Sequence, residues 1–135
     1  MTVITPRVSQ NQGLHDRVIS YIQSHLDSLK YDIYTNPGSE QNWHIRGQFP
    51  DILVTPKGSK SVQFVLEVET SDTVTADEAR TQWKEYATLP GTFYLIVPQG
   101  SLELAKIICS AQGISAKFGH FTINGLGQVT NVQYL

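Results

Sequence analysis

The chain has 135 residues, 40% of them hydrophobic and 16% charged, with a net charge of −2. Its sequence pI is about 6.0. This composition fits one globular domain over 1–135, and it excludes the broad basic surface that drives non-specific nucleic-acid binding, though not a local basic groove. The single cysteine, Cys109, excludes an internal disulfide and, within the apolar run Ile107-Ile108-Cys109, is expected in the core.

The N-terminal MTVITPRVSQ lacks a basic stretch followed by a long apolar one, so no signal peptide is expected. No run approaches the length of a membrane span, and a reducing, cytoplasmic setting is the expectation. Residues 12–29 then show helical spacing at Leu14, Val18, Ile22, His25, Leu26 and Leu29, with Asn11 as N-cap. The segment YDIYT, 31–35, reads as a short strand closed by Asn36-Pro37-Gly38-Ser39. Residues 36–48 form a long polar connection holding Trp43, His44 and Arg46, a length more often functional or mobile than average.

FPDILVT, 49–55, is a second strand, and SVQFVLEVET, 61–70, a third. The short turn around 57–60 implies an antiparallel hairpin. Counting outward from that turn brings Asp51 opposite Glu67, with the register open by a residue or two. A second helix starts at Thr75, which makes a capping box with Glu78, while Val74 and Ala79 form a hydrophobic staple. Ala79, Trp83, Tyr86 and Ala87 share one face, Gln82 borders it, and Arg80 and Lys84 share the flank. TFYLIVP, 92–98, is apolar enough for a strand covered on both faces. Ser101 is expected to cap a third helix, 102–112, stopped by Gly113, and the remainder makes strands turning at Asn124-Gly125 and Gly127. The order is α-β-β-β-α-β-α-β-β, an α/β mixed sheet with helices on its faces.

Glu67 and Glu69 stand two apart in an apolar strand, so their Cα atoms lie roughly 6–7 Å apart on one face. Like charges that close need a cation or a proton between them. Asp51 is placed to join them. Mg²⁺ or Mn²⁺ prefers such oxygen donors and would keep the acids ionised. Simpler roles are available too. Glu67 and Glu69 could be salt-bridged acids at a strand end, and Asp51 could pair with Arg46 or Lys84. Gln82 and Tyr86 could bridge helix to sheet, and Lys84 could be a solvated face lysine. Trp43, His44 and Arg46 could form a stacking and phosphate-binding loop, or Trp43 could cap the core. His25 is expected at the core edge.

Pro50-Asp51, a hairpin, the acid-x-acid strand end Glu67-Val68-Glu69 and a following helix together resemble the PD-(D/E)xK nuclease superfamily, the restriction-endonuclease-like proteins. Gln82-Trp83-Lys84-Glu85-Tyr86 is similar to the QxxxY pattern that follows the catalytic strand in some members. EVETSDTV and QWKEYA resemble segments of small bacterial members. The resemblance spans about residues 12–98 and implies an α-β-β-β-α-β core, here with an added C-terminal helix and hairpin. It implies a Mg²⁺- or Mn²⁺-dependent endonuclease acting on DNA, with Asp51 and Glu67 as metal ligands and Glu69 as a further candidate. Glu69 stands where the family usually has the lysine that orients the attacking water. Some restriction enzymes of this fold carry glutamate there, as general base or second-metal ligand, and Lys84 is a candidate for the displaced charge. His15 stands where the first helix often adds an acid, with Asp16 pointing elsewhere by helical phase. Gln82, Tyr86, Arg46 and His15 are thus expected to bind DNA or support the site. The missing lysine also implies an alternative, an inactive nuclease-fold accessory that binds DNA or a protein partner. Small nucleases of this fold commonly pair as homodimers to cut two strands.

Overall fold

The apolar residues of the first helix recur at the spacing that puts them on one face, and that face is buried. The computed structural model describes residues 9–135; residues 1–8, which carry most of the N-terminal segment read above, lie outside the described residues. Helix α1 runs Ser9–His25. Val18, Ile19 and Ile22 pack on Ile52, Val54, Leu66, Val68, Ile96 and Phe121 of the sheet. The expected Asn11 cap therefore lies inside the helix, and the helix stops earlier than 29. Asp27 diverts the chain: its side chain accepts from Leu29 N at 2.9 Å and its carbonyl from Tyr31 N at 3.0 Å. Leu29 is left 87% exposed. His25 is exposed rather than at the core edge, stacked on Tyr21 with ring centroids 3.8 Å apart.

The strands are β1 Tyr31–Thr35, β2 Ile52–Pro56, β3 Phe64–Val68, β4 Thr92–Pro98, β5 Lys117–Ile123 and β6 Val129–Tyr134. They form one six-stranded sheet in sequence order. β1, β2 and β3 run antiparallel, β3, β4 and β5 parallel, and β6 antiparallel to β5. Each parallel step needs a crossover. Helix α2, residues 76–86, makes the first, and α3, Leu102–Gln112, the second. Both cover the face opposite α1, where Trp83, Tyr86, Ala105 and Cys109 meet Val65, Phe93, Leu95 and Val97. β4 is consequently buried on both sides, as its apolar run predicts. Cys109 is a core residue, and burial pushes its thiol up to about 11. Among the described residues no helix is long and apolar enough to cross a membrane.

Two helix details differ from expectation. Thr75 does cap α2, accepting from Glu78 N at 3.2 Å, and Val74 and Ala79 are both buried. The middle of α2, Ala79–Trp83, is a π turn, in which Lys84 N–H donates to Ala79 O five residues back. The wider turn lets Gln82 and Trp83, neighbours in sequence, both face the sheet. Ser101 makes no side-chain cap; a 3₁₀ turn, Gln99–Ser101, leads into α3 instead. Gly113 ends α3 with a left-handed φ of 67°.

Gly91, just before β4, has φ +99°, and an added Cβ there would sit 2.9 Å from Gln63 O. Thr92 N donates to that same carbonyl at 2.8 Å, so the backbone cannot back away without breaking the β3–β4 junction. Gly91→Ala should therefore cost at least ~2 kcal/mol, read from urea unfolding. An unchanged midpoint would show that this junction yields.

Candidate active site

The β2–β3 register pairs Ile52 with Leu66. One residue further out, it sets Asp51 against Glu67, as the count from the turn predicts. Asp51 lies just before β2, at the end of the sheet where both helical layers come within reach. Its backbone N–H donates to Glu67 Oε1 at 3.1 Å, and its Oδ2 accepts from Val68 N at 2.7 Å. From the other layer His15 Nε2 meets Asp51 Oδ2 at 3.0 Å, while His15 Nδ1 meets Asp16 Oδ1 at 3.0 Å. Asp16 thus does not point away from the site. It bridges inward to His15, outward to Gln12 Nε2 at 3.1 Å, and to Gly38 N at 2.9 Å.

These contacts set opposite protonation tendencies on two adjacent acids. Burial works against ionising Asp51, but the His15 imidazolium and the hydrogen bonds from His15, Glu67 and Val68 outweigh it. Its carboxyl therefore lies below the usual range. Glu67 has no such cation. Burial first, then the charges of Asp51 and Glu69, push it well above the usual range. The pair therefore pulls in opposite directions, Asp51 toward its charged form and Glu67 toward its protonated one.

Helix α2 supplies the facing wall. Glu78, Gln82 and Tyr86 recur four apart and all line the same cleft as Asp51 and Glu67. With its amide nitrogen toward the acids, Gln82 donates to Glu78 Oε2 at 2.9 Å and Glu67 Oε2 at 3.1 Å. Burial, followed by the charges of Glu67 and Asp51, drives the Tyr86 hydroxyl upward, so it remains a proton-bearing donor.

The third wall is the 36–48 loop, and the cleft measures about 500 Å³. Buried Asn36 ties this loop at both ends. Its Nδ2 donates to Trp43 O at 2.7 Å and Pro50 O at 2.8 Å, and its Oδ1 accepts from Asn42 N and Trp43 N, both at 2.8 Å. That saturates the amide's bonding capacity on the loop itself.

Of the sequence-predicted residues, Asp51, Glu67, Gln82 and Tyr86 come together around the cleft, and His15 stands directly behind Asp51. Glu69 does not line the cleft; it is fully buried, and Trp83 Nε1 donates to its Oε2 at 3.3 Å. Lys84 and Arg46 are exposed and line no part of the cleft, and Asp51 pairs with neither. The lining residues include no lysine or arginine. Trp43 is half exposed, its ring centroid 4.9 Å from that of Tyr34. Glu78, Asn36 and the bridging role of Asp16 were missed. Glu78 carried a signal, since it stands four residues before Gln82 on the same face.

Among the described residues no group of three His, Cys, Asp or Glu side chains is arranged to hold a metal ion. Magnesium needs fewer protein donors: one or two carboxylates suffice when waters and substrate oxygens complete the shell. Asp51 and Glu67 offer that donor set to an open cleft, so the residues fit a two-carboxylate Mg²⁺ or Mn²⁺ site. They do not fit the three-acid site with Glu69 that the sequence suggests. No family model, curated protein or solved structure matches the chain.

Proposed function

We propose that the protein is a divalent-metal-dependent nuclease acting on DNA phosphodiesters, built on a restriction-endonuclease-like core. One observation carries this reading: Asp51 and Glu67 are opposed across the β2–β3 hairpin and both open onto one cleft. Two adjacent buried carboxylates with opposed protonation tendencies are costly to keep, and a cation resolves the conflict.

Asp51 and Glu67 would hold the ion. When bound, Mg²⁺ or Mn²⁺ supplies Lewis acidity toward a phosphodiester and acidifies a water. The protein's own part is positional. His15 and Val68 N–H keep Asp51 ionised and aimed. Gln82 fixes Glu67 from the helix side, and Tyr86 offers a hydroxyl donor to the cleft. Glu69, bonded to the Trp83 indole, cannot take over the lysine's work from its buried place.

A second reading has its own support. The Glu69–Trp83 bond and the lack of lysine or arginine in the cleft lining favour a nuclease-fold module without catalysis, binding DNA or a protein.

The two separate in one series. Mn²⁺ or Mg²⁺ is titrated while thermal unfolding is followed, then supercoiled plasmid is added. A functional site raises the melting temperature by mass action, about 2.7 kcal/mol at a hundredfold excess over Kd. It also nicks plasmid, and Asp51→Ala removes both effects, with cleavage lost by at least ~100-fold. Nicking that survives Asp51→Ala overturns the assignment. A metal shift without nicking selects the binding module.

A further inference from the structure

The turn at Ile45–Gln48 has an unusual occupant. Ile45 and Gln48 exchange both backbone hydrogen bonds, each 2.9 Å, so Arg46-Gly47 is a two-residue tip. Both tip residues have positive φ, 51° for Arg46 and 76° for Gly47. Such tips favour Asn, Asp or Gly, which tolerate that conformation. Arg46 is the one non-glycine residue with positive φ among the described residues. An arginine is not among the residues that such a tip favours, and backbone strain concentrates where a site needs a group held in place. The next residue, Gly47, lines the acidic cleft, which has no cation of its own.

Three residues before the tip lies Trp43, 50% exposed although it is among the largest apolar side chains. Its mount is rigid. Asn36 binds both its N–H and its carbonyl, and Tyr34 braces the ring. A half-exposed indole and an exposed arginine, on a loop clamped at its base, match the two groups of a nucleotide: a base to stack and a phosphate to pair.

We propose that the 36–48 loop is a docking element for single-stranded nucleic acid, with Trp43 stacking one unpaired base and Arg46 pairing the adjoining phosphate. An indole face reaches a base only when that base is unstacked, which selects single strands over duplex. The inference rests on the phosphodiester reading of the cleft and narrows its substrate to unpaired segments.

The protein has two tryptophans. Trp83 is fully buried, so quenching of intrinsic fluorescence by a ligand reports Trp43. Oligodeoxythymidylate in EDTA at low salt should quench wild-type emission, and the matching duplex should not. Trp43→Ala should weaken binding of labelled oligonucleotide about tenfold, with Trp43→Phe close to wild type. Arg46→Gly should lower the salt slope by about one while leaving the melting temperature equal or higher, because it relieves the strained φ. Absence of quenching, equal response to duplex, or wild-type binding by both Trp43→Ala and Arg46→Gly overturns the proposal. Binding in EDTA is independent of cleavage. Intact binding without metal-dependent nicking therefore sinks only the nuclease reading. Metal-dependent cleavage of the single-stranded oligonucleotide that is unchanged in both loop variants sinks only this one.

Discussion

His15→Ala should lower stability by about 3–5 kcal/mol near neutral pH, because it strands a buried carboxylate without its cation. His15 is 1% exposed and touches Asp51 at 3.0 Å. The pH dependence identifies the cause. Asp51 has a folded pKa below its ordinary 3.8, so its contribution is present above that value and is lost as pH falls through the folded pKa. Without His15 burial dominates and the carboxyl shifts upward, so the variant forfeits that contribution. The gap between wild type and His15→Ala should therefore be widest at neutral pH and narrow toward about pH 3, leaving only the cavity left by the ring. Asp51→Asn in the same background should recover part of the loss, since it removes the stranded charge. Urea unfolding across pH measures all three. A gap that does not change with pH would reduce His15 to a packing residue.

The fold was legible where local chemistry and burial agree. The apolar run 92–98 reads as a strand covered twice, and it is the strand with helices packed over both faces. Tyr31–Thr35 and Leu102–Gln112 have the limits read from their turn residues and from Gly113. What failed was local competition that periodicity does not register. Leu26 and Leu29 keep the helical spacing, but Asp27 offers the backbone a different partner, and the chain leaves the helix. The π turn in α2 is likewise silent in the pattern, because one added residue per turn changes which neighbours face inward without changing which are apolar.

The site was legible along the chain and less so across it. Asp51 opposite Glu67 follows from counting away from one turn, which is a local operation. Glu69 shares Glu67's face, as two-residue spacing requires, and yet misses the cleft. Trp83, brought inward by the π turn, stands beside it and takes its Oε2. His15 and Asp16 show the same limit. They are adjacent in sequence, so helical phase separates them. Only the packing of α1 against the sheet end reveals that Asp51 and Gly38 lie where both can be used.

Glu67→Gln should make the protein more stable and, on the nuclease reading, inactive. Burial and then the charges of Asp51 and Glu69 oppose ionisation of Glu67. Its folded pKa lies above its ordinary 4.5, so the native state loses stability relative to the unfolded chain as pH rises from that value through the folded pKa. Glutamine keeps an acceptor for Asp51 N–H and cannot ionise; its amide nitrogen takes the place of Oε2, where Gln82 meets it by turning its own oxygen inward. Its advantage over wild type should be near zero below about pH 4 and grow to on the order of 2 kcal/mol at alkaline pH, several degrees in Tm. Divalent metal should act in the opposite sense. Mg²⁺ or Mn²⁺ restores the wild type by favouring the carboxylate, and it leaves Glu67→Gln unmoved. An ion that stabilises both proteins equally binds elsewhere. A variant no more stable than wild type at high pH would mean that Glu67 ionises freely, and the conflict that a metal is proposed to resolve would not exist. On the proposed reading, the stability that Glu67 forgoes as it ionises is what a bound cation would return by mass action.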